Sequence, residues 1–337
     1  MAGTIIITGA NGSLAAHAVQ HILSKAPDNT LVLTVRNTSN SDLNTERLRE
    51  ATSRFPNSRV VIRKLDLVSL KAIHEFADTI TAEVIEGKLP PLAAIVCNAF
   101  HWNMIEDPEL TEDGIEKTIQ VNHVSHSALI LRLLGSFGLQ GGRLVLFTSD
   151  CHYPGRNSLE RYPPGLPDEL DKLVRASAEM DKRGRGFQNY ANSKLAILMW
   201  TYALNRYLDN DKSLSKISAV VIDPGSIADS RALRTNTPAL LSHIQRFVLQ
   251  PLQSVFSLIA PYLRNSADAG ADVAEIVLNH KFTGERGYFR LLVPGPSSIE
   301  SLDEVKQQKL WEKTVEWAKI TSENTALKCD FLAHCTD

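Results

Sequence analysis

The 337-residue sequence has no surplus of charge of either sign, little cysteine and no long apolar run. Its 36 lysines and arginines stand against 38 aspartates and glutamates, and no basic run breaks the balance, which argues against nucleic acid as the main partner. Four cysteines (Cys97, Cys151, Cys329 and Cys335) lack metal-type spacing. No metal site is therefore expected, and reduced thiols of an intracellular protein are expected over bridges. No stretch of about 18 uninterrupted apolar residues is available to span a bilayer. Met1-Ala2-Gly3-Thr4-Ile5 lacks the basic-then-apolar plan of a signal peptide, and Cys335-Thr336-Asp337 is not a prenylation box. A cytoplasmic protein is the expectation. Internal repeats and low-complexity tracts are missing too. Hydrophobic content of 43% and charged content of 22% are ordinary for a globular chain long enough to bury a large core.

What is present is a rhythm. Thr4-Ile5-Ile6-Ile7-Thr8 is a β-branched run of the kind buried on both faces of a parallel sheet. Residues 14–25 follow, with Ala18, Ile22 and Leu23 on one helical stripe. The pattern predicts strands at 31–35, 60–62, 92–97, 143–148 and 217–222. It predicts helices at 43–55, 69–86 with Ser69 as N-cap, 111–134 and 189–208. Such alternation defines the fold class as α/β, a doubly wound parallel sheet of Rossmann type covered on both faces. One domain over residues 1–337 is expected, with an insertion at about 151–188 and a helical substrate lid at about 226–265. In the lid, Pro251 and Pro261 interrupt apolar runs such as Val255-Phe256-Ser257-Leu258-Ile259. Ligands of such sheets bind beyond the carboxyl ends of the strands.

Two stretches suited to those ends carry chemistry. Gly9-Ala10-Asn11-Gly12-Ser13-Leu14 lies between the first strand and the first helix. There, backbone N–H groups and the helix N-terminus can hold a pyrophosphate, although a tight turn without a ligand would use the same residues. Tyr190 and Lys194, four residues apart, share one helix face. In a cleft, the ammonium can lower the phenol's pKa from about 10 and create a proton donor for a carbonyl oxygen. The second strand ends at Arg36-Asn37, with no acid to chelate a ribose diol. Arg36 can pair with a 2′-phosphate, so NADP(H) is the expected cofactor.

Thr8-Gly9-Ala10-Asn11-Gly12-Ser13-Leu14-Ala15 resembles the cofactor turn of the short-chain dehydrogenase/reductase family. Ser13 and Ala15 stand where the later glycines of that family fall. Further motifs of the family follow in order. Asp66-Leu67 resembles the pair that contacts adenine, and Cys97-Asn98-Ala99 the run lining the ribose, with Phe100 in place of its final glycine. Asn122 matches the helical asparagine that holds a water of the proton relay, and Ser149 the serine beside the tyrosine. Asp223-Pro224-Gly225-Ser226 resembles the turn reaching the nicotinamide carboxamide. The match is good over residues 1–225 and looser beyond.

The resemblance implies a carbonyl reductase in which Tyr190 donates the proton, Ser149 steadies the oxygen, Lys194 holds the ribose and Asn122 anchors water. Reduction of a conjugated C=C bond and a non-redox cofactor-binding role are its alternatives. The insertion, Tyr288-Phe289 and the helix bearing Trp311 and Trp317 resemble the branch of protochlorophyllide reductases, retinol dehydrogenases and WW-domain oxidoreductases. Apolar residues at 238–263 suggest a hydrophobic small-molecule substrate, such as a polyketide, terpenoid or retinoid-like ketone. They serve equally as core or subunit interface, whereas a membrane contact is disfavoured because Pro251 and Pro261 break the helix face. The family implies a homodimer or homotetramer through the helices at 111–134 and 189–208, unless the insertion and C-terminal third cover them. His74, His101, His123, His126 and His152 show no ligand spacing and are read as surface or loop residues. Cys97 and Trp200 are read as packing.

Overall fold

The computed structural model describes residues 3–177, 180–253 and 262–328. Its centre is an eight-stranded sheet in the order β10-β9-β6-β5-β4-β1-β2-β3. The strands are β1 Thr4–Ile7, β2 Thr30–Val35, β3 Arg59–Lys64, β4 Leu92–Val96, β5 Gly142–Phe147, β6 Ile217–Asp223, β9 Gly287–Arg290 and β10 Val293–Pro294. Every pairing is parallel except β10 with β9. A two-stranded parallel pair, β7 Ser226–Ile227 and β8 Leu263–Arg264, closes a loop beyond β6.

Continuous apolar runs go to the middle of the sheet. All residues of β1, β2 and β6 are buried, whereas β3 forms an edge and carries exposed Arg59 and Lys64. Side chains alternate between two cores. Ile6, Val32, Ile95, Leu144 and Val221 face one, and Ile5, Leu31, Val96, Val145 and Val220 face the other.

The second core lies under helices α1 Ser13–Lys25 and α2 Leu43–Ser53, together with α7 Ser266–Leu278. The first core lies under α3 Leu70–Ile85 and the helix we label α4. That helix runs continuously through an α turn at Lys117–Ile119, a π segment at Gln120–Val124 and α turns at Ser125–Leu133. Helices α5 Lys182–Asn210 and α8 Glu304–Trp317 complete this layer. Ser69 caps α3, accepting from Ala72 N–H at 3.3 Å, as its sequence predicts.

Helix bounds differ from expectation at two places. Helix α4 starts at Lys117 rather than near 111. The buried Glu116 carboxylate accepts from Thr118 and Ile119 N–H, and Thr111 N–H closes onto Ile115 O as a turn before it. Helix α5 starts at Lys182, seven residues earlier than expected, because Asp181 caps it by accepting from Gly184 N–H at 3.0 Å. The insertion before it is mostly irregular, with 3-10 turns at Asp150–His152 and Leu170–Leu173. The expected lid contains a 3-10 turn at Arg231–Arg234 and helix α6 Ala239–Ile244, continued by a π segment at Gln245–Leu249. Residues 255–259 and Pro261 lie outside the described residues.

Candidate active site

The strand order reverses between β4 and β2, on either side of β1, so the loops after β1, β4, β5 and β6 converge at one edge of the sheet. The loop after β1 turns at Gly9, whose φ of 60° suits glycine, and Gly12 N–H closes onto Gly9 O at 2.8 Å. A Cβ on Gly9 would stand 3.0 Å from Ala99, so the turn and the loop after β4 are pressed together. Asn98 locks them: its amide nitrogen donates to Thr8 O and Gly9 O, both at 3.1 Å. Ala99 N–H donates to Thr8 Oγ1 at 3.1 Å. Helix α1 begins at Ser13 with neither a capping side chain nor an acidic residue in its first turn. Its positive end is thus left for an anion. Ala15 is buried and Leu14 half-buried. Asn11 Nδ2 donates to Thr45 Oγ1 at 3.0 Å, tying the turn to α2.

Arg36, directly after β2, is exposed, and its charge is felt at His101. Asp66 sits after β3 and turns its carboxylate onto Val68 N–H at 3.2 Å, while Leu67 O accepts from the buried Ser125 hydroxyl at 2.6 Å. After β6, Pro224 leads into Gly225, at φ 83°, where a Cβ would meet Tyr262 O at 2.7 Å. Ser226 N–H donates to that same carbonyl at 3.0 Å.

Ser149, Tyr190 and Lys194 come together where β5 ends against α5. Thr148 Oγ1 donates to Lys194 O at 2.9 Å, and Lys194 Nζ donates to Phe147 O at 3.2 Å. This spends one of the ammonium's three donors. Burial pushes the Lys194 pKa down to about 8. The phenol behaves differently from the sequence expectation. Burial first, then Cys151, Asp150 and Asp223, raise the Tyr190 pKa well above 10, and only a hydrogen bond with Ser149 opposes them. Lys194 Nζ lies 5.5 Å from the Tyr190 ring centroid, and burial sets the direction of the phenol's shift. Tyr190 therefore keeps its proton. Ser149 Oγ donates to Asp150 Oδ1 at 3.0 Å.

Asn122 lies within the π segment of α4. Its Oδ1 accepts from His101 N–H at 2.7 Å, and its Nδ2 donates to His101 O at 2.8 Å and Ser193 Oγ at 2.9 Å. The side chain thereby fixes the loop after β4 against α5. That loop brings Phe100 and Trp102 to Tyr190, with ring centroids 6.2 and 5.4 Å away, and Phe187 stands at 6.2 Å. Met104, Leu159 and Leu241 of α6 pack into the same cluster. Tyr190 thus sits in an apolar, largely aromatic cluster against which Leu241 of α6 packs.

Sequence reading missed four participants. The surface-or-loop reading of the histidines fails for His123 and His126, buried within α4, while His152 lies in the loop after β5 but is buried too; desolvation pushes their pKa values down to about 3, 3 and 4. Of these, His126 reaches the site. Its Nε2 lies 3.0 Å from Thr8 Oγ1, and the ring also bonds the Asn122 main chain. Asp150 and Asp223 were missed as neighbours of the phenol. Asp223 is buried, with its pKa raised to about 6 by desolvation, and accepts from Tyr262 Oη at 2.8 and 2.9 Å. Arg231 was missed because nothing in local sequence brings it to the glycine turn, where its main-chain N–H donates to Ser13 Oγ at 3.2 Å. Cys97 and Trp200 are core residues, as read. Among the described residues no cluster of three or more His, Cys, Asp or Glu could hold a metal, and no helix is long and apolar enough to cross a membrane.

Residues 3–132 match the KR domain family, and residues 231–327 match the AcuH dehydrogenase domain. The chain is 28% identical to the short-chain dehydrogenase iccH of Talaromyces variabilis, over 97% of this chain and 98% of that one. It is 50% identical over 92 residues to the dehydrogenase acuH of Aspergillus aculeatus, which is 27% of this chain and 94% of that protein. Among solved structures, NADPH-bound carbonyl reductase from chicken fatty liver shares the fold with a TM-score of 0.57 at 15% identity, covering 88% of this chain and 99% of that one.

Proposed function

Because the chain belongs to the short-chain dehydrogenase/reductase family and is an oxidoreductase of that family, we propose that it is an NADPH-dependent reductase of a carbonyl in a hydrophobic small molecule, with Tyr190 as proton donor. The observation that carries this reading is the aromatic cluster around Tyr190. A phenol held protonated faces Phe100, Trp102, Phe187 and Leu241, with Ser149 beside it and the ammonium of Lys194 one turn away. A flat or isoprenoid ketone of polyketide or terpenoid type suits those walls.

The chain's own residues fit a dinucleotide. The Gly9 turn has no room for a side chain, the positive end of α1 is uncapped, and Lys194 has donors to spare. Gly9, Asn11, Gly12, Ser13 and Leu14 would hold the pyrophosphate, and Arg36 the 2′-phosphate. Asp66 and Leu67 would face the adenine. Asn98, Ala99, Tyr190 and Lys194 would line the riboses, and Pro224, Gly225 and Ser226 the carboxamide. The NADPH held by the chicken carbonyl reductase of this fold supports the choice of cofactor. Bound NADPH supplies the hydride.

The residues then do the rest. Ser149 has a single hydroxyl proton, so its donation must turn from Asp150 to the substrate oxygen. Tyr190 gives its proton to that oxygen as negative charge develops there. Lys194 orients the ribose, and the Asn122 region passes a proton from water back to the phenol. The aromatic walls exclude bulk water from the exchange.

NADPH oxidation measured against a panel of aromatic and terpenoid ketones tests the reading. Tyr190→Phe should lose about 10²- to 10⁴-fold in turnover while still binding NADPH. Near-normal turnover by that variant would sink the assignment.

A further inference from the structure

The segment after the Pro224-Gly225 turn crosses the edge of the sheet and returns to the glycine turn. Ser230 caps it, accepting from Ala232 N–H at 3.1 Å, and Arg231 N–H is held by Ser13 Oγ. The Arg231 guanidinium donates to the carbonyl of Asn11 and to Asn44 Oδ1 at the start of α2. Arg47, one residue short of a full turn further along α2, and Arg234 lie close enough for their charges to oppose that of Arg231. Asp42 is the nearby acid, but it is committed to capping α2 through Thr45 N–H at 2.8 Å. Among the described residues neither Arg231 nor Arg47 forms an ion pair with a carboxylate. Three like charges thus converge on one side of the turn with no carboxylate paired to the central one, an arrangement that an anion would relieve.

Which anion follows from where the cluster lies. A pyrophosphate belongs at the N-terminus of α1, and the adenosine ribose belongs beside the end of β2. Asn44 and Arg47 are on the helix that follows β2, so the guanidinium faces the ribose side of Asn11. We propose that Arg231, assisted by Arg47, joins Arg36 in holding the 2′-phosphate of NADP(H), so that the C-terminal region helps to select the cofactor. The proposal rests on the dinucleotide-binding reading above and goes beyond it, since sequence offered only Arg36 for this phosphate.

Titrating intrinsic fluorescence with NADPH and with NADH separates the possibilities. Arg231→Ala keeps the main-chain bond to Ser13, so the turn stays tethered. It should weaken NADPH by about 10- to 100-fold, the loss of a charge-assisted pair, and leave NADH unchanged. Arg47→Ala changes an exposed side chain that cannot damage the core, and it should weaken NADPH alone by a smaller factor. Arg231→Lys should recover part of the NADPH affinity. Equal loss for both cofactors, or no loss in either variant, would overturn the proposal while leaving dinucleotide binding intact. A wild-type protein that binds neither cofactor would overturn the dinucleotide reading and this proposal with it.

Discussion

The phenol and the ammonium four residues apart respond to one enclosure in opposite senses. Desolvation disfavours whichever form is charged, so it raises Tyr190 and lowers Lys194. The pair is therefore neutral phenol and cation only while pH stays below about 8. The sign is direct: Lys194 falls from 10.5 to about 8, so its charge is complete below that value and lost above it. NADPH affinity should accordingly decline as pH rises through about 8, to a degree that isothermal titration between about pH 7 and about pH 9.5 can measure. A flat profile over that range would mean that Lys194 is not the group holding the cofactor. The same reasoning explains the buried thiols. Cys151 is pushed up to about 12 by burial first, and it stays a neutral packing residue beside the phenol.

At the scale of elements, irregularities collect where the site is built. The π segment of α4 centres on Asn122, and the amide there clamps the loop after β4 by both of its polar ends. The segment between β7 and β8 is rooted by another buried polar contact, Tyr262 to Asp223. An acid raised to about 6 in the fold from 3.8 is stabilising when protonated, and that contribution is lost as pH rises through 6. Asp223→Asn keeps an acceptor for Tyr262 and removes the buried charge. It should raise stability by about 1–3 kcal/mol at pH 8, by roughly half as much near pH 5, and little below about pH 3.8, as thermal melts across that range would reveal. If the gain were as large below about pH 3.8, ionisation of Asp223 would not be its cause. Helix α6 and the stretch after it expose Leu240, Phe247 and Leu252, while Leu241 turns inward to the Tyr190 cluster.

Across the whole molecule, the C-terminal third closes the face that α4 and α5 would otherwise present. Trp311 of α8 stacks on Trp200 of α5, with centroids 5.6 Å apart and both rings fully buried. Thr314 meets His123 of α4 at 2.8 Å, Arg132 donates to Asn324 O at 2.8 Å, and Thr325 donates to Leu131 O at 2.6 Å. A homodimer through these two helices, as the family pattern suggests, would have to displace α8. Sedimentation equilibrium should show no dimer formed through this face. Trp311→Ala should cost about 3–5 kcal/mol in chemical denaturation and leave α5 with an exposed apolar stripe. A stable wild-type dimer crosslinked through α5 would contradict this arrangement.

The strand and helix rhythm, the Gly9 turn and the shared helix face of Tyr190 and Lys194 were legible in the sequence because each depends on local chemistry, whereas Ser149 entered only through the family resemblance. Buried parallel strands need continuous apolar runs, a turn at positive φ needs glycine, and two residues four apart must share a helix face. Helix starts at Lys117 and Lys182 escaped because Glu116 and Asp181 cap them only in their folded surroundings. What a group feels from distant neighbours was decided by the tertiary structure alone. His126 became a buried neutral ring, Tyr190 was raised rather than lowered, and Arg231 was carried 220 positions back along the chain to Asn11. Desolvation and long-range charge depend on how the sheet brings loops together, and no spacing within a single segment encodes that.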